Sequence, residues 1–401
     1  MGTKNNHKKP ELTEAQKERR LLNKHYGAKE ASYRRRLLAH IRMERPRYWW
    51  RNDSRLWQRI LCVLAVIVLL TVSSMYGIAR WYIAKNSHRA PIFGTTFIPD
   101  YARSFDLDPQ TTLDALLHDM NFRHFRLVSY WDDIEPEPGQ YDFSELDWQF
   151  KKIESVGGSV SLAIGLRQPR WPECHMPSWA MSQPDEQWQP ALKTFMGKVI
   201  DRYKSSPALK SYQLENEYFL KVFGECKNFD RDRLVDEFNF VKQKDPNHTV
   251  IISRSNNALG LPIGKPTPDK FGVSVYKRVW DKTLTHRYFE YPFPAWFYAF
   301  LAGAGEIVTG KDMIVHELQA EPWPAGGDIK SASIAEQDKS LNARRLKDRI
   351  KYGKATGMGE IDLWGSEMWY WRKVKLGDSS LWDTARDTIR DQQCTKCYSY
   401  R

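Results

Sequence analysis

Between residues 92 and 365 the chain carries eight short apolar runs separated by stretches of helical periodicity, and this alternation restricts the fold more than any other feature. The runs are 92–97, 124–130, 159–165, 211–216, 249–253, 271–276, 312–316 and 360–365. Helical patterns fall between them at 109–120, 144–155, 189–204, 231–244, 288–303 and 334–355, with Ser144 placed to cap the second and Gly157 just beyond its end. The fifth crossover, Asn256 to Lys270, is too short and too rich in Pro and Gly to read as a helix. Eight βα units predict an α/β fold, a (β/α)8 TIM barrel, which typically takes ~250 residues. An open doubly wound sheet is the alternative. No glycine-rich phosphate loop follows the first run, so the nucleotide-binding form of that fold gains no support.

Ahead of the barrel, Ile60 to Ala79 is free of charge. At 1.5 Å per residue it makes about 30 Å of helix, the thickness of a bilayer's hydrocarbon core. Trp49, Trp50 and Trp57 precede the run and Trp81 and Tyr82 follow it, at the places interfacial aromatics take. Arg42, Arg45, Arg47, Arg51, Arg55 and Arg59 stand before it, against Arg80, Lys85 and Arg89 after it, so the positive-inside bias predicts a cytoplasmic N-terminus. No clear cleavage site precedes Arg80, which argues for an anchor rather than a removed signal peptide. The expected division is a basic tail at 1–59, a transmembrane helix at 60–79, a juxtamembrane linker at 80–91, the barrel at 92–372 and a C-terminal extension at 373–401.

The net charge of +12 is a property of the tail. Residues 1–59 hold 17 Lys+Arg and 6 Asp+Glu, whereas the remainder is balanced at 44 against 43, so no nucleic-acid partner is expected for the barrel. Beyond Cys62 in the apolar run, Cys174 and Cys226 follow successive strand candidates, and a disulfide between their loops is plausible outside the cytoplasm. Cys394 and Cys397 form a lone pair that reads better as a terminal staple than as a metal site. His124, His175, His286 and His316 show no ligand spacing and read as ordinary barrel or loop histidines; no metal or cofactor is called for.

Two glutamates carry the chemistry. Glu217 closes Tyr212-Gln213-Leu214-Glu215-Asn216 and Glu317 closes Met313-Ile314-Val315-His316. Carboxyls at the ends of different strands converge on one mouth, where one held protonated and one ionised can cleave a sugar bond. The same mouth is expected to hold Arg126, Tyr130, Trp131, Tyr276 and Trp364, and Trp171, Trp179 and Trp323 are candidate sugar platforms. Glu215, Glu321, Glu360 and Glu367 compete for these roles, Glu321 most seriously.

With Asn216-Glu217, Glu317 and the run Tyr130-Trp131-Asp132-Asp133-Ile134-Glu135-Pro136-Glu137-Pro138-Gly139-Gln140-Tyr141-Asp142-Phe143, the chain resembles glycoside hydrolase clan A over roughly residues 92 to 372. In that barrel family two catalytic glutamates end the fourth and seventh strands. The resemblance implies a retaining glycosidase with Glu217 as general acid/base and Glu317 as nucleophile. It further implies that Asn216 binds the sugar 2-hydroxyl, that Arg126 and Tyr276 hold the nucleophile ionised, and that Trp364 stacks beneath the sugar. Arg167-Gln168-Pro169 stands where some branches place a histidine, and Leu318-Gln319 after Glu317 also departs, leaving the substrate branch open. The expected protein is a membrane-anchored hydrolase or transglycosylase of an extracytoplasmic oligo- or polysaccharide. A non-catalytic sugar-binding barrel and an envelope scaffold are the alternatives.

Overall fold

The computed structural model describes residues 13–40, 55–221, 223–254 and 264–393. Eight parallel strands close into a barrel: β1 Ile92–Thr96, β2 His124–Val128, β3 Ser159–Ile164, β4 Leu209–Leu214, β5 Thr249–Arg254, β6 Lys270–Val275, β9 Asp312–Gln319 and β10 Glu360–Trp364. Pairing follows chain order, and β1 closes the ring by pairing with both β2 and β10. Helices on the outside and packed side chains within bury both faces of the sheet, so β2 and β10 are buried at every position. This is the closed barrel that the eight apolar runs predict.

The departures have local causes. Ser144 is the first helical residue of Ser144–Ser155 rather than its cap, because the Asp142 carboxylate accepts from the Ser144 amide at 2.8 Å. The expected helix at 288–303 begins only at Ala295, behind Pro292 and Pro294, and Tyr288–Glu290 (β8) instead pairs antiparallel with Arg278–Trp280 (β7) in a hairpin beside the barrel mouth. The pattern at 334–355 is two helices, Ile334–Ser340 and Ala343–Ala355, because Asn342 stops the first and caps the second by accepting from the Arg345 amide at 3.0 Å. In the stretch after residue 372, helix Ser380–Gln393 buries Leu381, Trp382, Ala385 and Ile389 and packs on Ala343–Ala355. Cys394, Cys397 and most of the fifth crossover lie outside the described residues.

The chain divides into two units, residues 1–73 and 74–401. The first holds the polar helix Glu14–His40 and the start of the apolar helix Leu56–Asn86. By length and composition the latter is able to cross a membrane. It runs past the expected end at 79 and takes up most of the expected linker. In the second unit, residues 74–86 of that helix seat on the barrel. The Tyr82 hydroxyl donates to Asp312 Oδ1 at 2.8 Å, the Tyr76 ring meets Trp296 edge-on at 5.7 Å, and Lys85 pairs with Glu306. Gly303 makes room: a Cβ there would stand 2.9 Å from Ile78 Cγ2. Asp312 opens β9, and Gly357, which lies against Ile83, just precedes β10, so the helix seats at the N-terminal ends of these strands.

Candidate active site

Glu317 lies inside β9, two residues before its end, and a bulge aims it. Val273 pairs with Val315 but Ser274 pairs with Glu317, so β9 carries one more residue than β6 at His316. Consecutive side chains of a regular strand point to opposite faces. Here His316 and Glu317 both reach Arg126, whose Nη1 lies 2.6 Å from His316 Nδ1 and whose Nη2 donates to Glu317 Oε2 at 2.9 Å. Arg126 is steadied by Thr96 Oγ1 at 2.8 Å. The Tyr276 hydroxyl donates to the other oxygen of Glu317. A cation and a phenol thus hold both oxygens of one buried carboxylate.

Glu217 lies three residues past the end of β4. Glu215 and Glu217 adopt φ values of 52° and 45°, a left-handed backbone that costs side-chain-bearing residues on the order of 1–3 kcal/mol each and persists only where surroundings enforce it. The enforcers are visible. The Glu215 carboxylate accepts from the amides of Leu166 (2.7 Å) and Arg167 (3.1 Å) and pairs with Arg233 at 3.2 Å, which makes it a buried clamp between loops rather than an acid for substrate. The Asn216 amide donates to the Arg167 carbonyl at 2.6 Å and the Glu217 amide to Ser253 Oγ at 2.9 Å.

The environment of Glu217 is the reverse of that of Glu317. Burial, and then the charges of Glu317 and Glu173, push its carboxyl up to about 8. Oε1 has no hydrogen-bond partner among the described residues. Burial and the neighbouring Arg126 hold His316 well below the usual imidazole range. A guanidinium only donates, so His316 Nδ1 accepts from Arg126 and Nε2–H faces Ser274 Oγ at 3.2 Å, leaving the serine hydroxyl to donate to Glu217. A directed chain of hydrogen bonds therefore joins the partner of Glu317 to Glu217.

Both glutamates line a cavity of about 760 Å3, within the range of ligand sites, together with Glu173, Trp171, Tyr276, Trp323 and Trp364. Trp171 is 57% exposed at its rim, and the Tyr276 and Trp323 rings meet edge-on at 5.4 Å. Trp364 Nε1 donates to Glu321 Oε1 at 2.7 Å. Glu321, which lines the same cavity, also accepts from Tyr101 (2.7 Å) and Arg170 (3.2 Å). Glu360 opens β10 at the opposite end, and Glu367 accepts from the Ile98 amide at 2.8 Å.

Trp131, Asn216, Trp179 and Tyr130 do not line this cavity. Trp131 is fully buried and does not reach the mouth: it starts helix Trp131–Ile134, donates through Nε1 to Glu135 Oε2 at 2.7 Å and packs on Trp179 and Phe195. Asn216 is buried behind the lining, donating through Nδ2 to Oε2 of the lining residue Glu173 at 3.0 Å and accepting from Gln213 at 2.9 Å. Trp179, also a candidate platform, donates to the Glu135 carbonyl at 3.1 Å. Tyr130 lines a smaller recess of about 250 Å3 and stacks on His175 at 3.5 Å.

Sequence reasoning missed Glu173. Burial pushes its carboxyl up to about 7 against the lowering effect of Arg167, 3.6 Å away. The signal lay next door, because Cys174 is bonded to Cys226 with Cα atoms 5.2 Å apart, and that disulfide fixes the loop carrying Glu173 beside the loop after β4. Arg170 was missed as well. Its guanidinium lies between Tyr101 (3.2 Å) and Trp364 (4.3 Å), bracing the cavity wall.

No family model matches the chain. Among curated proteins it is similar to the beta-galactosidase BbgII of Bifidobacterium bifidum, 27% identical over 157 residues, which cover 33% of this chain and only 23% of that protein. Similar solved structures include a variant of a GH5 subfamily 18 enzyme from Bifidobacterium longum in complex with Manβ1-4GlcNAc (TM-score 0.55, 10% identity, 76% of this chain and 79% of that one). A GH5 subfamily 18 enzyme from Streptomyces cattleya in complex with GlcNAc gives a TM-score of 0.53 at 12% identity, covering 77% and 82% of the two chains. The beta-galactosidase of Rahnella sp. R3 gives 0.51 at 12% identity, covering 76% and 56%. These structures share the barrel fold with this chain.

Proposed function

We propose that the protein is a membrane-anchored glycoside hydrolase that cleaves O-glycosidic bonds of an extracytoplasmic glycan, with retention and through a covalent intermediate. One observation carries the reading: two carboxyls line one cavity, Glu217 driven toward its protonated form and Glu317 bound by a guanidinium and a phenol. The mechanism follows from that contrast. Glu317 attacks the anomeric carbon while Glu217 gives its proton to the departing oxygen; Glu217, now ionised, takes a proton from water as that water displaces Glu317. A sugar hydroxyl in place of water gives transglycosylation. Trp364 supplies a face for the sugar at the cleavage point, with Trp171 and Trp323 along the approach. The fold neighbours with bound GlcNAc and Manβ1-4GlcNAc, and the beta-galactosidase relative, suggest the first substrates to try.

The apolar helix and the arginines before it support an anchor with the N-terminus inside. A reporter fused after Arg401 is expected to respond as an exported domain.

The chemistry is tested on aryl β-galactosides, β-mannosides and N-acetyl-β-glucosaminides with the full chain in detergent. Glu317→Ala is expected to abolish turnover of the substrate that the wild type accepts, with azide restoring it and giving the inverted glycosyl azide. Glu217→Ala is expected to spare activated aryl glycosides in the first step and to stall as a glycosyl-enzyme. Unchanged hydrolysis in both variants refutes the proposal.

A further inference from the structure

A second cluster lies toward the other end of the strands, inside the barrel base. His124 on β2 and Glu360 and Asp362 on β10 are 1%, 3% and 1% exposed. They face one another across β1, where Gly94 leaves the space: a Cβ at that position would stand 2.2 Å from Asp362 Oδ1 and 2.7 Å from His124 Cδ2. His124 Nε2 lies 3.3 Å from Glu360 Oε1 and 3.7 Å from Asp362 Oδ1, and one ligand atom from each of the three residues falls within 4.8 Å of the others. His124 Nε2, Glu360 Oε1 and both Asp362 oxygens have no hydrogen-bond partner among the described residues.

The orientation of the imidazole sharpens the question. Ser159 Oγ lies 2.8 Å from His124 Nδ1 and 3.3 Å from the Arg123 carbonyl, so it fixes the ring by its Nδ1 edge. Nε2 is thereby turned toward two carboxylates. Lone pairs cannot face one another unscreened in a buried site, so a proton or a cation must stand between them. A proton on Nε2 would draw charge-assisted bonds to about 2.7–2.9 Å, shorter and better aligned than either observed separation. Around a four-coordinate metal with bonds of about 2.1 Å, ligand atoms stand roughly 3.4 Å apart, close to both. The Ser159 contact is also the kind of outer partner that orients a metal-bound histidine.

We infer that His124, Glu360 and Asp362 bind a divalent cation, Zn2+, as a structural clasp. It ties the last strand to the second across the first, where the barrel closes. Lys210, which pairs with the other oxygen of Glu360, lies at the base between the cluster and solvent.

The test uses the full chain in detergent, stripped with a chelator and titrated with Zn2+. About one equivalent is expected to be retained by elemental analysis, with a rise in thermal midpoint of about 5 °C or more near a hundredfold excess over Kd. Asp362→Asn and His124→Gln are expected to lose both effects. A Cys394→Ser/Cys397→Ser double variant is expected to keep them. Where the buried variants fail to fold, Co2+ loaded into the wild type decides: an absorption spectrum without a thiolate charge-transfer band is expected, since the ligand set contains no sulfur. No retained metal, retention undiminished in Asp362→Asn, a thiolate band, or preference for Mn2+ over Zn2+ overturns the assignment.

Discussion

Replacing Glu217 by Gln keeps the shape of the side chain and removes its titration, so the pH dependence of the stability difference measures how unwilling Glu217 is to ionise. In the folded protein its carboxyl is raised from the ordinary 4.5 to about 8, first by burial and then by Glu317. Between those values the unfolded chain has released the proton and the folded state has kept it. Stability present below pH 4.5 is therefore lost as pH rises toward 8, at about 1.36 kcal/mol for each pH unit. Over the full window the loss is roughly 5 kcal/mol. Glu217→Gln does not pay it. Relative to wild type, the variant should gain steadily from pH 5 to 8 and then level off, while the other titrations largely cancel in the difference. For a domain of this size that is a relative midpoint shift on the order of 10 °C in thermal unfolding. A difference that stays flat across pH 5 to 9 would mean that Glu217 ionises like an exposed carboxyl, and its role as a proton donor at neutral pH would fall with it.

Three further outcomes follow from the geometry. Tyr276→Phe removes one of two donors to Glu317 and should lower kcat/KM about 10- to 100-fold, in line with a hydrogen bond to a charged group; an unaltered kcat/KM would show that the phenol is not needed. Cys174→Ser/Cys226→Ser opens a link across 52 positions and should cost about 4 kcal/mol by loop entropy, read as a lower unfolding midpoint without reductant, and an unmoved midpoint refutes it. Glu215→Ala leaves Arg233 paired with Glu237 alone and strips two buried loop amides of their acceptor, and a loss of about 2–4 kcal/mol is expected by denaturant unfolding; less than 1 kcal/mol would show that the clamp contributes little.

The barrel was legible because strands buried on both faces leave uninterrupted apolar runs, and the run count alone assigned Glu217 and Glu317 to the fourth and seventh barrel strands. What was not legible depends on contacts far apart in the chain. The same β-end position that suggested a mouth for Trp131 also starts a helix, and the packing of Trp179 and Phe195 turned the indole inward. Asn216 faced Glu173 because a disulfide 52 positions long holds the two loops together. The bulge at His316 depends on register between β6 and β9, which no single strand records. His124 had no ligand spacing because its neighbours across β1 lie more than two hundred positions away in the chain.

The seat of residues 74–86 lies at the strand starts, the end of the barrel opposite the cleft. Tyr82 is fastened to the first residue of β9, and Glu317 is the sixth, so at about 3.3 Å per residue some 17 Å of strand separates tether from chemistry. Seat and chemistry are thus at opposite ends of one strand, so a substitution that loosens Tyr82 from Asp312 acts on the base of the barrel and reaches Glu317 only through the length of β9.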